Sequence, residues 1–432
     1  HNSSLPLAAP DTGEQNLNRM SGPAIALLLL LAPAASGQSG PTIAGFNFST
    51  DVTEHSKIDL DQQQIEAALS NNYDFDTASQ WYSLGGNSVK SDGANRTIKG
   101  FSTGAFPKMV DGNNQYFVTY SNYWGRKRNA NSSTPQYDYA DMFTGPACRG
   151  EATGMFAGAD QETLSQFCKK GAVVQNAWMY VIWEMQDAVN DCFAGDINNN
   201  GGAAVAWDEA WAFYAGSLEG VDGSGSGVLL HALAEKRCPQ FGTCTSGTST
   251  AGDTTSTTIK DDAVVNARLL SLFKTGQTQI LSGQCNRLQN TLHEVVKQMT
   301  VPVIQGALRY TYRADPNGPL QSSTTKDRAE GWVFASAVLP LIDQCNSSAA
   351  SKIEQNMIWN APTAMVDGYA FTKQQFESVY SCLGISCADV GGLRSEDGSY
   401  IEGMEPCVDI LAGYNHKTNV IEHSEIDLDQ QQ

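Results

Sequence analysis

The segment Gln175–Phe193 (QNAWMYVIWEMQDAVNDCF) is apolar nearly all round its helical circumference from Ala177 to Trp183. A helix of that kind has no face to give to water, so it belongs in the middle of a core with other elements wrapped about it. The chain supplies the wrapping in helical periodicity. Gln161–Cys168 begins one segment, and Ala203–Leu218, Ile259–Gly283, Asn286–Tyr312, Arg328–Gln344 and Lys373–Ser381 follow. Pro302 is expected to kink the fourth of these. Residues 58–84 have helical spacing, with Ile58, Ile65, Ala68 and Leu69 on one side. Few alternating patterns compete, so the fold class is all-α, a helical bundle with long irregular loops. Residues 85–140 are rich in Gly, Asn, Ser and Tyr, and Gln115–Tyr120 reads as a short strand. Residues 38–53 read as a flexible leader, and 219–258 as a Gly/Ser/Thr-rich surface excursion with a short helix near His231.

Charge and cysteine usage narrow the function classes. Asp plus Glu number 46 against 27 Lys plus Arg, a net charge of −19. Such a chain is a poor binder of nucleic acid or anionic lipid, and it attracts cations. Ala24–Ala32 is apolar, too short to span a bilayer, and followed by small-x-small sites. It reads as a secretory signal over 20–37, with 1–19 as an upstream extension. Secretion agrees with ten cysteines, an even number. The short loops between Cys238 and Cys244 and between Cys382 and Cys387 make these the easiest local pairs, and the sequons at Asn47, Asn95, Asn131 and Asn346 fit a glycoprotein. Residues 54–64 (EHSKIDLDQQQ) recur at 422–432 with one change, Lys57 against Glu425. This points to tandem modules, one over 54–421 and the start of a second at 422–432.

The chemistry candidates are acidic. Glu184 follows the seven-residue apolar run, where a charged carboxylate must be paired, metal-bound or protonated. Asp187 and Asp191 continue on the same helix side. The plain alternative for Glu184 is a salt bridge to an arginine such as Arg309. Asp208 and Glu209 open a second apolar helix, where the helix dipole alone would favour them. Glu330 stands at the matching point of an internal echo: Glu209-x-Trp211-x-Phe213 and Glu330-x-Trp332-x-Phe334, each with a leucine beyond at the same offset. A duplicated half-module would place equivalent glutamates on related helices. Convergent acids from several helices are how bundles build oxygen-rich sites for hard cations such as ferric iron, calcium or manganese. Tyr214, Tyr310 and Tyr312 offer phenolate and His293 an imidazole, although each suits a plain core position. Glu402 and Glu405 lie at i, i+3 beside Gly403 and Pro406, which favours a solvated loop. Asp196–Gly201 begins like a calcium loop, but its twelfth position is Trp207. His293-Glu294 begins like a zinc-peptidase motif, but Lys297 replaces the second histidine. No nucleophile and base constellation implies catalysis.

The blocks 154–189, 207–220, 307–315 and 329–342 (among them WDEAWAFYAGSLEG and AEGWVFASAVLPLI) resemble the low-iron-inducible periplasmic proteins. These are iron-assimilating proteins of green algae, with relatives in other marine algae; the phytotransferrins of marine phytoplankton are similar too. The resemblance implies a secreted protein of the periplasmic space or cell surface that takes up ferric iron, with carbonate as a synergistic anion and a cell-surface transport partner. Mapped onto the matching blocks, it makes Glu184, Asp208, Glu209 and Glu330 the acidic candidates, with Arg309 as an anion or carboxylate partner. The competing readings are a secreted metal-dependent enzyme, carbonic-anhydrase-like, and a structural wall glycoprotein.

Overall fold

A computed structural model describes residues 41–128, 134–198, 201–245, 263–321 and 323–408. The signal segment, the sequon at Asn131 and the second repeat copy lie outside them. The helices of ten residues or more are α1 (Ile58–Asn71), α2 (Phe75–Leu84), α3 (Gln115–Arg128), α4 (Tyr139–Cys148), α5 (Gln161–Gly171), α6 (Trp178–Ala194), α7 (Ala203–Ala215), α8 (Leu230–Phe241), α9 (Val264–Leu281), α10 (Cys285–Arg313), α11 (Thr325–Cys345) and α12 (Ser347–Met357). The fold is all-α.

The segment expected at the centre is there. α6 packs on α7 and α10, and α10 in turn packs on α8, α9 and α11. A π-helical stretch, Ala172–Ala177, joins α5 to α6, so 161–194 is one rod. Trp178, Trp207 and Trp211 are fully buried. A buried indole N–H commonly takes a partner; Trp178 Nε1 has none, and the other two do. Trp207 donates to the Phe273 carbonyl and Trp211 to the Ile43 carbonyl, both at 2.9 Å. α10 runs through Pro302.

Three local expectations change. Residues 58–84 are two helices, because Tyr73 takes a positive φ of 52° and the Asp74 side chain caps α2 by accepting from the Thr77 amide at 3.0 Å. Gln115–Tyr120 is the start of α3, not a strand. Its aromatic residues suit a strand locally, but Asn114 accepts from the Phe117 amide and the Tyr120 hydroxyl donates to the Ala337 carbonyl on α11. Tertiary packing overrides the β-propensity. The leader is not loose either: β1 (Thr42–Ile43) and β2 (Phe46–Asn47) form a hairpin whose Phe46 and Phe48 are buried. Phe46 lies 5.5 Å from the Trp211 ring.

The cysteines form five disulfides, with none free among the described residues: Cys148–Cys168, Cys192–Cys285, Cys238–Cys244, Cys345–Cys382 and Cys387–Cys407. Cys238–Cys244 is as expected. The expected Cys382–Cys387 pair is not formed. The two residues fall in separate short helices, Tyr380–Leu383 and Cys387–Val390, divided by a left-handed Gly384. Each is therefore presented to a different neighbour.

Candidate metal centre

α6 sets three acids on one side at i, i+3 and i+7. Glu184 is 4% exposed, Asp187 is half-buried, and Asp191 lies nearer the helix end. Burial drives the Glu184 carboxyl well above the usual carboxylate range, and the nearby Glu209 and Asp187 charges add to the effect. A hydrogen bond from Tyr180, one turn back, pulls the other way. Asp187 is raised by burial, and Asp191 is pushed up to about 6 by burial and by the Asp187 and Asp196 charges. No Lys, Arg or His lies within ion-pair distance of Glu184 among the described residues. Exposed Lys108 gives only a weak opposing attraction. The Arg309 salt bridge is therefore not made.

Glu209 comes from α7, across the α6–α7 contact. Its Oε1 stands 2.8 Å from His55 Nε2, and Arg96 Nη2 reaches the same nitrogen. Arg96 is steadied by donating to the Val89 carbonyl at 2.9 Å. Aromatic rings close the back of the site. Phe101 stacks on Tyr180 with centroids 4.0 Å apart, and Phe213 stands edge-on to both. His55 packs against Phe213 at 5.7 Å, and its Nδ1 is buried without a hydrogen-bond partner. An imidazole with an orphan nitrogen, a fully buried carboxyl and two further acids make an electronegative cluster of oxygen and nitrogen groups.

Sequence reasoning missed His55 and Arg96. The signal for His55 was present, because it lies in the repeated EHSKIDLDQQQ segment. The rest of that segment is architectural. Asp59 accepts from Ser217 Oγ and the Leu218 amide, Asp61 from Asn87, and the Gln62 amide donates to the Lys169 carbonyl.

The other candidates sit elsewhere. α7 begins at Ala203, so Asp208 is in its second turn rather than its first. Asp208 Oδ2 accepts from the amides and hydroxyls of Ser49 and Thr50 at 2.7–2.9 Å, which ties the hairpin to α7. Glu330 accepts from the Tyr310 hydroxyl and faces Arg237 and Arg309 rather than Glu184. Tyr214 donates to Asn266, and His293 meets the Tyr116 hydroxyl at 2.9 Å. Tyr312 packs edge-on against Tyr369. Glu402 and Glu405 are exposed on a loop. Asn47, Asn95 and Asn346 are exposed. So Glu184, Glu209 and Asp187 lie within electrostatic reach of one another, while Asp208, Glu330, Tyr310 and Arg309 do not join them. Among the described residues, no group of three or more His, Cys, Asp or Glu side chains is placed closely enough to hold a metal ion as it stands. No helix of the described residues is long and apolar enough to cross a membrane.

A family model described as low iron-inducible periplasmic protein matches residues 24–405. No curated protein and no solved structure matches the chain.

Proposed function

We propose, from the premise that the chain belongs to the low iron-inducible periplasmic protein family, that it binds ferric iron as cargo between α6 and α7. Glu184, Glu209, Asp187 and His55 are the donors, and Tyr180 holds the Glu184 carboxyl in place. The observation that carries this reading is Glu184 itself, a fully buried carboxyl facing two more acids with no basic partner. An ionised carboxylate in that position is several kcal/mol out of balance unless a cation joins it. A hard trivalent ion prefers carboxylate oxygen to thiolate, and every cysteine described is held in a disulfide. The acids are near enough to repel but not gathered about one point, so the cation draws Glu184 and Glu209 together as it enters. Asp191 and Asp187 extend the negative potential from the helix end toward Glu184 and would guide a cation inward. If a carbonate accompanies the iron, Arg96 is the cation beside the acids and would hold it; Arg309 is in a different cavity. The action is binding and release, at the periplasmic location that the family description suggests, and acidification favours release because protons compete for the same oxygens.

Iron titration of the purified protein, with iron supplied as the nitrilotriacetate complex, tests the reading. We expect one tightly bound iron, lost in Glu184→Gln and kept in Glu402→Gln. Equal iron content in both variants, or none in the unaltered protein, would count against the site.

A further inference from the structure

A cavity of about 760 Å³ that shares no residue with the acidic site is lined mostly by cations among its charged groups. Lys169, Lys170, Lys236, Arg237, Arg309 and Lys326 line it, together with Arg313, in a chain that carries a net −19. Only three acids line the same space, and each is already engaged. Asp327 pairs with Arg313 at 2.7 Å, Glu330 accepts from Tyr310, and Glu66 accepts from Gln62 at 3.1 Å. Among the described residues none of the other six cations has an ion pair.

One of these cations is fully buried and a second is held against a ring. Arg237 is 2% exposed, lies 5.3 Å over the Phe334 ring, and its Nε is buried without a hydrogen-bond partner. Leaving a buried guanidinium donor unmatched is costly, so a ligand oxygen is the natural complement. Arg309 is laid over the Tyr310 ring at 5.0 Å, which fixes its fork. Lys236 reaches the cavity's solvent, yet enough protein surrounds it for desolvation to push its ammonium down to about 8, with Lys170, Arg237 and Arg309 repelling its charge. The neighbouring glutamate does not offset them. Such mutual repulsion is relieved by a multivalent anion.

Size and walls narrow the class. A cavity of this volume is in the range of small-molecule sites and far larger than a single inorganic oxyanion. Val173, Val174, Leu229, Leu233 and Phe334 form an apolar side that suits a carbon skeleton. We infer that this cavity binds a small organic polyanion, a carbon skeleton bearing two or more carboxylate or phosphate groups, through Arg237, Arg309, Lys236 and Lys170. The site stands independently of the iron reading, since it uses other residues and needs no metal.

Calorimetry on the iron-free, chelator-free protein tests it with three probes: citrate, fructose 1,6-bisphosphate and inorganic pyrophosphate. We expect at least one organic probe to bind with Kd below about 0.1 mM and to weaken as salt is raised. Lys236→Ala and Arg309→Gln should each weaken it by about tenfold, with Lys90→Ala, an exposed lysine elsewhere, unchanged. Circular dichroism would show that the variants keep their helix content. Tighter citrate assigns carboxylate chemistry, and tighter bisphosphate assigns phosphate. Absence of binding by both organic probes, affinities unchanged in both cavity variants, or pyrophosphate matching the organic probes would overturn the proposal.

Discussion

Two regions of this molecule use one local pattern to opposite ends. On α7, Glu209-x-Trp211-x-Phe213 places Phe213 against Tyr180, whose hydroxyl bonds Glu184. On α11, Glu330-x-Trp332-x-Phe334 places Phe334 against Tyr310, whose hydroxyl bonds Glu330. The phenylalanine, the tyrosine and a glutamate meet in both. The surroundings differ. Around Glu184 stand Glu209 and Asp187; around Glu330 stand Arg237, Arg309 and Lys236. The apolar part of the echo governs helix packing, which depends on shape. The acid's role depends on charges brought from other helices, and those are not part of the motif. A repeated motif thus conveys a repeated fold position without conveying a repeated function.

The largest effect expected is the one that breaks this equivalence. Glu209→Gln removes a proposed donor and should weaken iron binding by about 100-fold or more, the scale on which even outer-shell partners of a metal count. Glu330→Gln at the matching position should leave it within about twofold, because Glu330 is bonded to Tyr310 and faces Arg237 and Arg309 rather than the acidic cluster. Equilibrium iron competition against a chelator measures both. Parallel losses would mean that the two halves share one site, contrary to the geometry.

A second difference appears with pH. Burial raises Glu184, Asp187 and Asp191, the last to about 6. A carboxyl with a raised folded-state pKa contributes stability that is fully present below its unfolded value near 4. That stability is lost as pH rises through the folded value. The iron-free protein should therefore lose stability from the acidic cluster above about pH 4, at up to about 1.4 kcal/mol per pH unit for each proton involved. Glu184→Gln removes its share of that slope. The melting temperature of the variant relative to the unaltered protein should climb between pH 4 and 8 without iron. Iron should reverse the order at neutral pH, because the cation takes the place of the proton. A difference that stays flat with pH would show that Glu184 is not under electrostatic strain.

How far the sequence carried this picture depends on the kind of force involved. The helical class and the central position of α6 followed from an apolar run that no surface could accept. The gathering of Glu184 with Asp187 followed from helical spacing, and the local Cys238–Cys244 pair from loop length. Chain-distant facts were not legible. His55 meets Glu209 only because the short helix Thr53–Ser56 packs on α7, and nothing local to EHSKIDLDQQQ announces that contact. Cys382 chose Cys345 over its near neighbour for the same reason. Likewise Asp208 looked equal to Glu209 in sequence, yet one step around a helix turns it toward Ser49 and Thr50. The basic cavity was the hardest to foresee. Its cations come from α5, α8, α10 and α11, so no single stretch of the chain gathers them, and the basic run Arg126–Arg128 is not among them.

The finest test of the comparison removes one oxygen from each half. Tyr180→Phe and Tyr310→Phe each delete the hydroxyl that bonds a buried glutamate and leave the ring contacts with Phe213 and Phe334 in place. A hydrogen bond to a charged group contributes about 1.5–3 kcal/mol. In the acidic half the bond favours the ionised form of Glu184, which is the form a cation needs. Tyr180→Phe should then weaken iron binding by about tenfold and move its acid-release midpoint to higher pH, since the carboxyl holds its proton more firmly. In the basic half the same deletion leaves Glu330 among Arg237, Arg309 and Lys236, apart from the acidic cluster. Tyr310→Phe should not move the iron-release midpoint at all. Release curves recorded for the two variants side by side would measure this, and a matching shift in both would show that the hydroxyls act through general packing rather than through the charge each one faces.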